Sequence, residues 1–261
     1  MEPFTDKCLQ VVLHEGTPSG SFRTAQGHRI YVATPGGSYA KDAAVVICTD
    51  LFGVDLVNNL LIADSFAAAG FQTYIPDYLN SDSVPHDQRQ HPEKYPDFDM
   101  ASWRSRHTAK EARPALDACV EMCKTEGVRK LFCIGYCYGA RFAVDLAYEG
   151  ALQAVALAHP SQLKIPDDLT QLATLEPKTP MLFLTCERDQ AFPVESQEKA
   201  DAILGGLGEH TYKKIYYADA DHGFAVRGDL SKPNVKRAKE DAFKQAVEWF
   251  RQHDDADTAK V

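Results

Sequence analysis

Cys137 sits in the pentapeptide Gly135-Tyr136-Cys137-Tyr138-Gly139, directly after the apolar run Lys130-Leu131-Phe132-Cys133-Ile134. A strand, a glycine-bounded bend and a helix beginning near Ala140 give the spacing G-x-S-x-G of a nucleophile elbow, with sulfur in place of the hydroxyl. Glycines suit such a bend because the nucleophile's backbone is strained and strand and helix approach closely there. A buried structural cysteine would look the same over five residues, so the chemistry needs a base and an acid further along the chain. A strand over residues 181–185 runs into Cys186-Glu187-Arg188-Asp189, and one over residues 212–217 opens into Asp219-Ala220-Asp221-His222-Gly223-Phe224. Cys137, Asp189 and His222 thus follow in the order nucleophile, acid, base, each at a strand end. Asp219 and Asp221 are competing acids, but they share a loop with His222, where residues one and three positions away rarely reach back to the ring. A thiol of pKa about 8.5 is only a few per cent ionised at neutral pH. The N-terminus of the following helix and proton transfer to His222 favour the thiolate, while Asp189 would fix the imidazole tautomer.

The elements that must position these groups alternate. Strands are expected over residues 20–24, 28–33, 43–49, 71–75, 130–134, 152–158, 181–185 and 212–217. Helices are expected over 59–69, 100–124 (broken or kinked at Pro114), 138–148, 195–204 and 232–252. The fully apolar run at 43–49 reads as a strand covered on both faces. Such alternation implies an α/β fold, a mostly parallel central sheet flanked by helices. Residues 78–99 carry Pro85, Pro92 and Pro96 with little periodicity, and a long irregular stretch after a strand reads as a segment covering the substrate. Residues 254–261 read as a flexible polar tail.

The chain has 261 residues with no composition break, which fits one domain spanning 1–261. Its formal net charge of -9 argues against a nucleic-acid surface. No apolar run is long enough for a membrane span, and the start lacks a secretory pattern. Seven scattered cysteines without C-x-x-C fit a reduced, cytoplasmic setting. Cys119 and Cys123 lack nearby histidines, so core packing is expected there rather than zinc. There is no dinucleotide or phosphate-loop motif, and neither cofactor nor metal is expected.

Four segments resemble the dienelactone hydrolase family: Thr49-Asp50-Leu51-Phe52-Gly53, the Cys137 pentapeptide, Asp189, and His222-Gly223-Phe224-Ala225. The resemblance covers about residues 20–252. It implies an α/β-hydrolase fold with a Cys137-His222-Asp189 triad opening a small lactone or ester through a thioester acyl-enzyme. The best-known bacterial members carry Glu at the position of Asp50, and Arg four residues after the histidine, where this chain has Val226 followed by Arg227. The surroundings are more similar to fungal relatives, whose substrates vary, as in aromatic degradation or secondary metabolism. The oxyanion donors implied are the Tyr138 and Leu51 N–H groups. Asp50, Phe52, Tyr136, His159, Phe224 and Arg227 are expected around the substrate, and the protein is expected as monomer or homodimer. A non-hydrolytic cyclase, dehydratase or isomerase on the same scaffold is the alternative; an acyl group trapped on Cys137 separates the two. A redox sensor on this scaffold is a third reading, disfavoured because a sensor needs no ordered acid–base pair.

Overall fold

The computed structural model describes residues 11–254. Eight strands form one sheet: β1 (Ser21–Ala25), β2 (His28–Ala33), β3 (Ala43–Cys48), β4 (Gln72–Pro76), β5 (Lys130–Tyr136), β6 (Ala154–Ala158), β7 (Met181–Arg188) and β8 (Tyr212–Asp221), in the order β1-β2-β4-β3-β5-β6-β7-β8. β1, β2 and β4 pair antiparallel, and every pairing from β4 through β8 is parallel. β3 and β6 are buried throughout. This is why they read as unbroken apolar runs: helices cover both faces, and a solvent face that would demand polar residues is missing.

The helices are α1 (Val57–Ala68), α2 (Met100–Ser105), α3 (Ala109–Thr125), α4 (Ala140–Tyr148), α5 (Asp167–Thr174), α6 (Val194–Leu204), α7 (Phe224–Arg227) and α8 (Pro233–Asp254). α1 and α8 meet through Phe66 and Phe243, with ring centroids 4.9 Å apart, and Phe250 of α8 packs on Phe132 of β5 at 5.1 Å. α4 is tied to α5 by the Arg141–Asp168 pair, 2.6 Å.

Several boundaries differ from the sequence expectation for identifiable reasons. The helix expected over 100–124 is two helices, α2 and α3, and the break lies at residues 106–108, not at Pro114. Asp99 caps α2 by accepting from Ser102 N at 2.7 Å, and Thr108 caps α3 by accepting from Lys110 N at 3.3 Å. Pro114 lies inside α3, where it removes a single backbone donor. The last strand runs on to Asp221, so His222 follows it directly. Two short helices, α5 and α7, of eight and four residues, lie outside the sequence expectation. Of the tail expected over 254–261, Asp254 ends α8 and the rest lies outside the described residues.

Candidate active site

The site gathers where the parallel strands end. Cys137 follows β5, His159 follows β6, Asp189 follows β7 and His222 follows β8. Cys137 has φ +51°, the left-handed region that costs a side-chain-bearing residue energy. The flanking glycines answer a different need, close approach. A Cβ on Gly139 would stand 2.1 Å from the Cys48 carbonyl oxygen, and one on Gly135 would stand 2.7 Å from Ala140 Cα. The strain thus falls on the cysteine, and the glycines let β3, β5 and α4 close around it.

The structure brings Cys137, His222 and Asp189 together. His222 Nε2 lies 3.0 Å from Cys137 Sγ, and Nδ1 lies 2.9 Å from Asp189 Oδ1. All three residues are buried. Asp189 Oδ1 also accepts from the N–H groups of Ala191 (2.9 Å) and Phe192 (3.0 Å), and the Cys186 thiol lies 3.7 Å from Oδ2. Gln197 of α6 secures this loop by donating to the Cys186 and Phe192 carbonyls. Burial pushes the His222 imidazole down, but the Asp189 carboxylate, the Cys137 sulfur and the hydrogen bonds to both push it well above its ordinary value. Of the two neighbouring acids, Asp221 pairs with Arg188 at 2.8 Å, and the exposed Asp219 carboxylate lies 3.9 Å from the same guanidinium.

Leu51 and Phe52 are buried after β3, next to the elbow. The Phe52 N–H is turned onto Asp50 Oδ1 (3.3 Å) and the Gly53 N–H onto the Asp50 carbonyl (3.1 Å); the Leu51 N–H is turned onto neither. Leu51 accepts at its carbonyl from Val84 N at 3.0 Å, which ties the irregular segment 78–99 to this loop. Tyr138 packs its ring into a cluster with Tyr78, Trp103 and Phe142, and its hydroxyl donates to the His107 carbonyl. Only its backbone is a candidate oxyanion donor. Tyr136 lines a cleft of about 170 Å³ with Ile62, Ser65, Leu184, Lys239 and Phe243. Phe224 packs on His159, centroids 5.5 Å apart.

Asp50 and Arg227 form a buried pair, Nη1 to Oδ2 2.8 Å, with both side chains 1% exposed or less. The shift by one position that separates Val226 from Arg227 therefore does not turn the guanidinium out to solvent, because the single turn of α7 brings residue 227 back over Gly223. There the guanidinium carbon would lie 2.6 Å from any Cβ, and it stands 5.5 Å from the centre of the Phe52 ring. Both residues, expected at the substrate, are engaged with each other. Asn59 of α1, whose role no local motif signals, donates to Asp50 Oδ1 (3.1 Å) and to the Gly53 carbonyl (2.8 Å). Lys239 of α8 donates to the Ala225 carbonyl at 2.9 Å, fastening α7; its ammonium is pushed down to about 8 by burial.

A model of the dienelactone hydrolase family matches residues 29–254. The chain belongs to the dienelactone hydrolase family. Hydrolase pyvD of Aspergillus violaceofuscus is 32% identical over 252 residues, spanning 96% of this chain and 97% of that protein. Hydrolase tropI of Talaromyces stipitatus is 30% identical over 260 residues, with the same two shares. A crystal structure from Klebsiella pneumoniae described as a dienelactone hydrolase superposes with a TM-score of 0.68 at 19% identity, over 90% of this chain and 98% of that one, which shows the shared α/β-hydrolase fold. This family member is a carboxylic-ester hydrolase acting on a small-molecule ester or lactone. Among the described residues no helix is long and apolar enough to cross a membrane, and no group of three or more His, Cys, Asp or Glu side chains is placed to hold a metal ion.

Proposed function

We propose that the chain opens a small lactone or ester by acyl transfer to Cys137. The supporting observation is the unbroken hydrogen-bonded chain Cys137 Sγ–His222–Asp189, with contacts of 3.0 and 2.9 Å at the end of a strained elbow. The sulfur attacks the carbonyl carbon, and its proton goes to His222 Nε2. The tetrahedral oxyanion is held by the Tyr138 and Leu51 N–H groups. As the C–O bond breaks, His222 gives that proton to the leaving oxygen, which in a lactone stays tethered to the acyl group. Water then attacks the thioester, His222 takes its proton, and the C–S bond breaks to return the thiol. Asp189 holds the N–H of Nδ1 inward and stabilises the imidazolium.

Phe224 packs on His159, and on this reading that ring suits an apolar acyl group. Asp50 and Arg227 act on this reading by joining the oxyanion loop to the loop of the base, not by gripping a charged substrate. In Cys137→Ala, hydrolysis of p-nitrophenyl acetate is expected to fall to background while circular dichroism and melting stay near wild type. Undiminished turnover in the folded variant would remove Cys137 from the chemistry and favour a role for His222 as acid and base alone.

A further inference from the structure

His159 is a second imidazole in the same site, and among the described residues nothing binds its ring nitrogens. It is 0% exposed, and neither ring nitrogen has a hydrogen-bond partner among the described residues. A neutral imidazole carries one donor and one acceptor, and folded proteins rarely leave such groups buried and unanswered outside functional sites. Its backbone is also strained, with φ +38°, while its N–H is anchored to the Leu184 carbonyl at 2.8 Å. Two costs therefore converge on one residue, which is the pattern of a side chain held for a task.

Its neighbours define the task. The His159 ring stands edge-on to the His222 ring, centroids 5.0 Å apart, with Phe224 at 5.5 Å and Tyr136 at 6.0 Å. Ser161, two residues on, donates its N–H to the Cys137 carbonyl at 3.0 Å and places its hydroxyl 3.8 Å from Sγ. Hydrolysis brings one small polar molecule into these aromatic surroundings: the water that attacks the thioester. A buried water needs two to four polar partners. His222 Nε2 supplies one, since the base must take the proton, and Nδ1 is committed to Asp189. We propose that His159 is a further catalytic residue, a neutral imidazole that binds and orients the water of deacylation against His222. In that step the water oxygen bonds to the thioester carbon, its proton passes to His222 Nε2, and the C–S bond breaks with the proton going to sulfur.

The environment supports a hydrogen-bonding role over a second base. Burial, and then the positive charges of His222, Arg227 and Lys239, hold His159 well below the ordinary histidine range. The two rings are thus driven in opposite directions, one to carry the proton and one to stay neutral. The proposal rests on the acyl-enzyme reading above.

The test uses p-nitrophenyl acetate, whose leaving group departs without protonation, so that acylation does not depend on His159. In His159→Phe, the first equivalent of nitrophenolate should appear within about threefold of the wild-type rate, whereas acyl-enzyme breakdown should slow about 10–100-fold, the cost of one oriented hydrogen bond in the reacting site. Mass spectrometry after rapid mixing should find the acetyl thioester accumulated. His159→Gln, which keeps a donor and an acceptor, should fall between. Unchanged breakdown in His159→Phe, or equal slowing of both steps, would overturn the assignment while leaving the thioester route standing. No acylation of wild-type Cys137 at all would bring down both.

Discussion

Substituting Asp50→Asn removes one charge from a pair sealed inside the protein. The Arg227 guanidinium is 1% exposed, and Asp50 is the carboxylate at 2.8 Å from it. Asparagine keeps the shape but loses the countercharge. Removing one charge of a buried ion pair costs about 3–5 kcal/mol, on the order of 10 °C in melting temperature for a domain of this size. Arg227→Met should cost less, because Asp50 keeps the Asn59 amide and the Phe52 N–H as donors. The double variant should recover part of the loss, with a coupling energy of roughly 2 kcal/mol or more. Urea denaturation of the four proteins at one pH measures the cycle. Activity should fall with stability in Asp50→Asn, since the same carboxylate orders the loop bearing Leu51. If Asp50→Asn lay within about 1 kcal/mol of wild type, or the two effects simply added, the pair would not be fastening the loops.

Two further outcomes follow from the geometry. Gly139→Ala should fail to fold or lose well over about 3 kcal/mol, because its Cβ would meet the Cys48 carbonyl at 2.1 Å; Gly150→Ala, with φ +65° and open space, should cost only about 1 kcal/mol. Thermal melts of the two variants side by side decide this, and equal losses would contradict it. The Asp189→Asn variant tests the raised His222. A raised folded-state value contributes stability that is complete below the unfolded value of about 6.5 and is lost as pH rises through the folded value. The stability gap between wild type and Asp189→Asn should therefore be largest near pH 6 and narrow by up to about 1.4 kcal/mol per unit as pH rises. Urea midpoints at pH 6, 7.5 and 9 measure it, and a gap that widens with pH would refute the direction.

Much of the frame was legible in the sequence because burial on both faces leaves β3, β5 and β7 as apolar runs that nothing else explains. The elbow was legible for a related reason: its glycines are fixed by contacts with β3 and α4 that no larger residue permits. Local signals misled at Pro114, where a helix absorbs one missing donor, and missed the break at Thr108, which depends on a cap. The site's supports were hidden because they are long-range. Asp50 and Arg227 are 177 residues apart in sequence, and Asn59, Gln197 and Lys239 act through side-chain hydrogen bonds to distant loops, from helices whose periodicity gives no hint of them. His159 was visible as a histidine after a strand, but its lack of hydrogen-bond partners among the described residues emerges only from the packing around it.

The most direct measurement of the central claim is intact and peptide mass after rapid acid quench of the enzyme with an activated ester. One acyl group on the peptide bearing Cys137, absent from Cys137→Ala and released over time with hydrolysis, is the predicted result. Rapid turnover with no adduct on that peptide at any quench time, or an acyl group carried by a different residue, would contradict it.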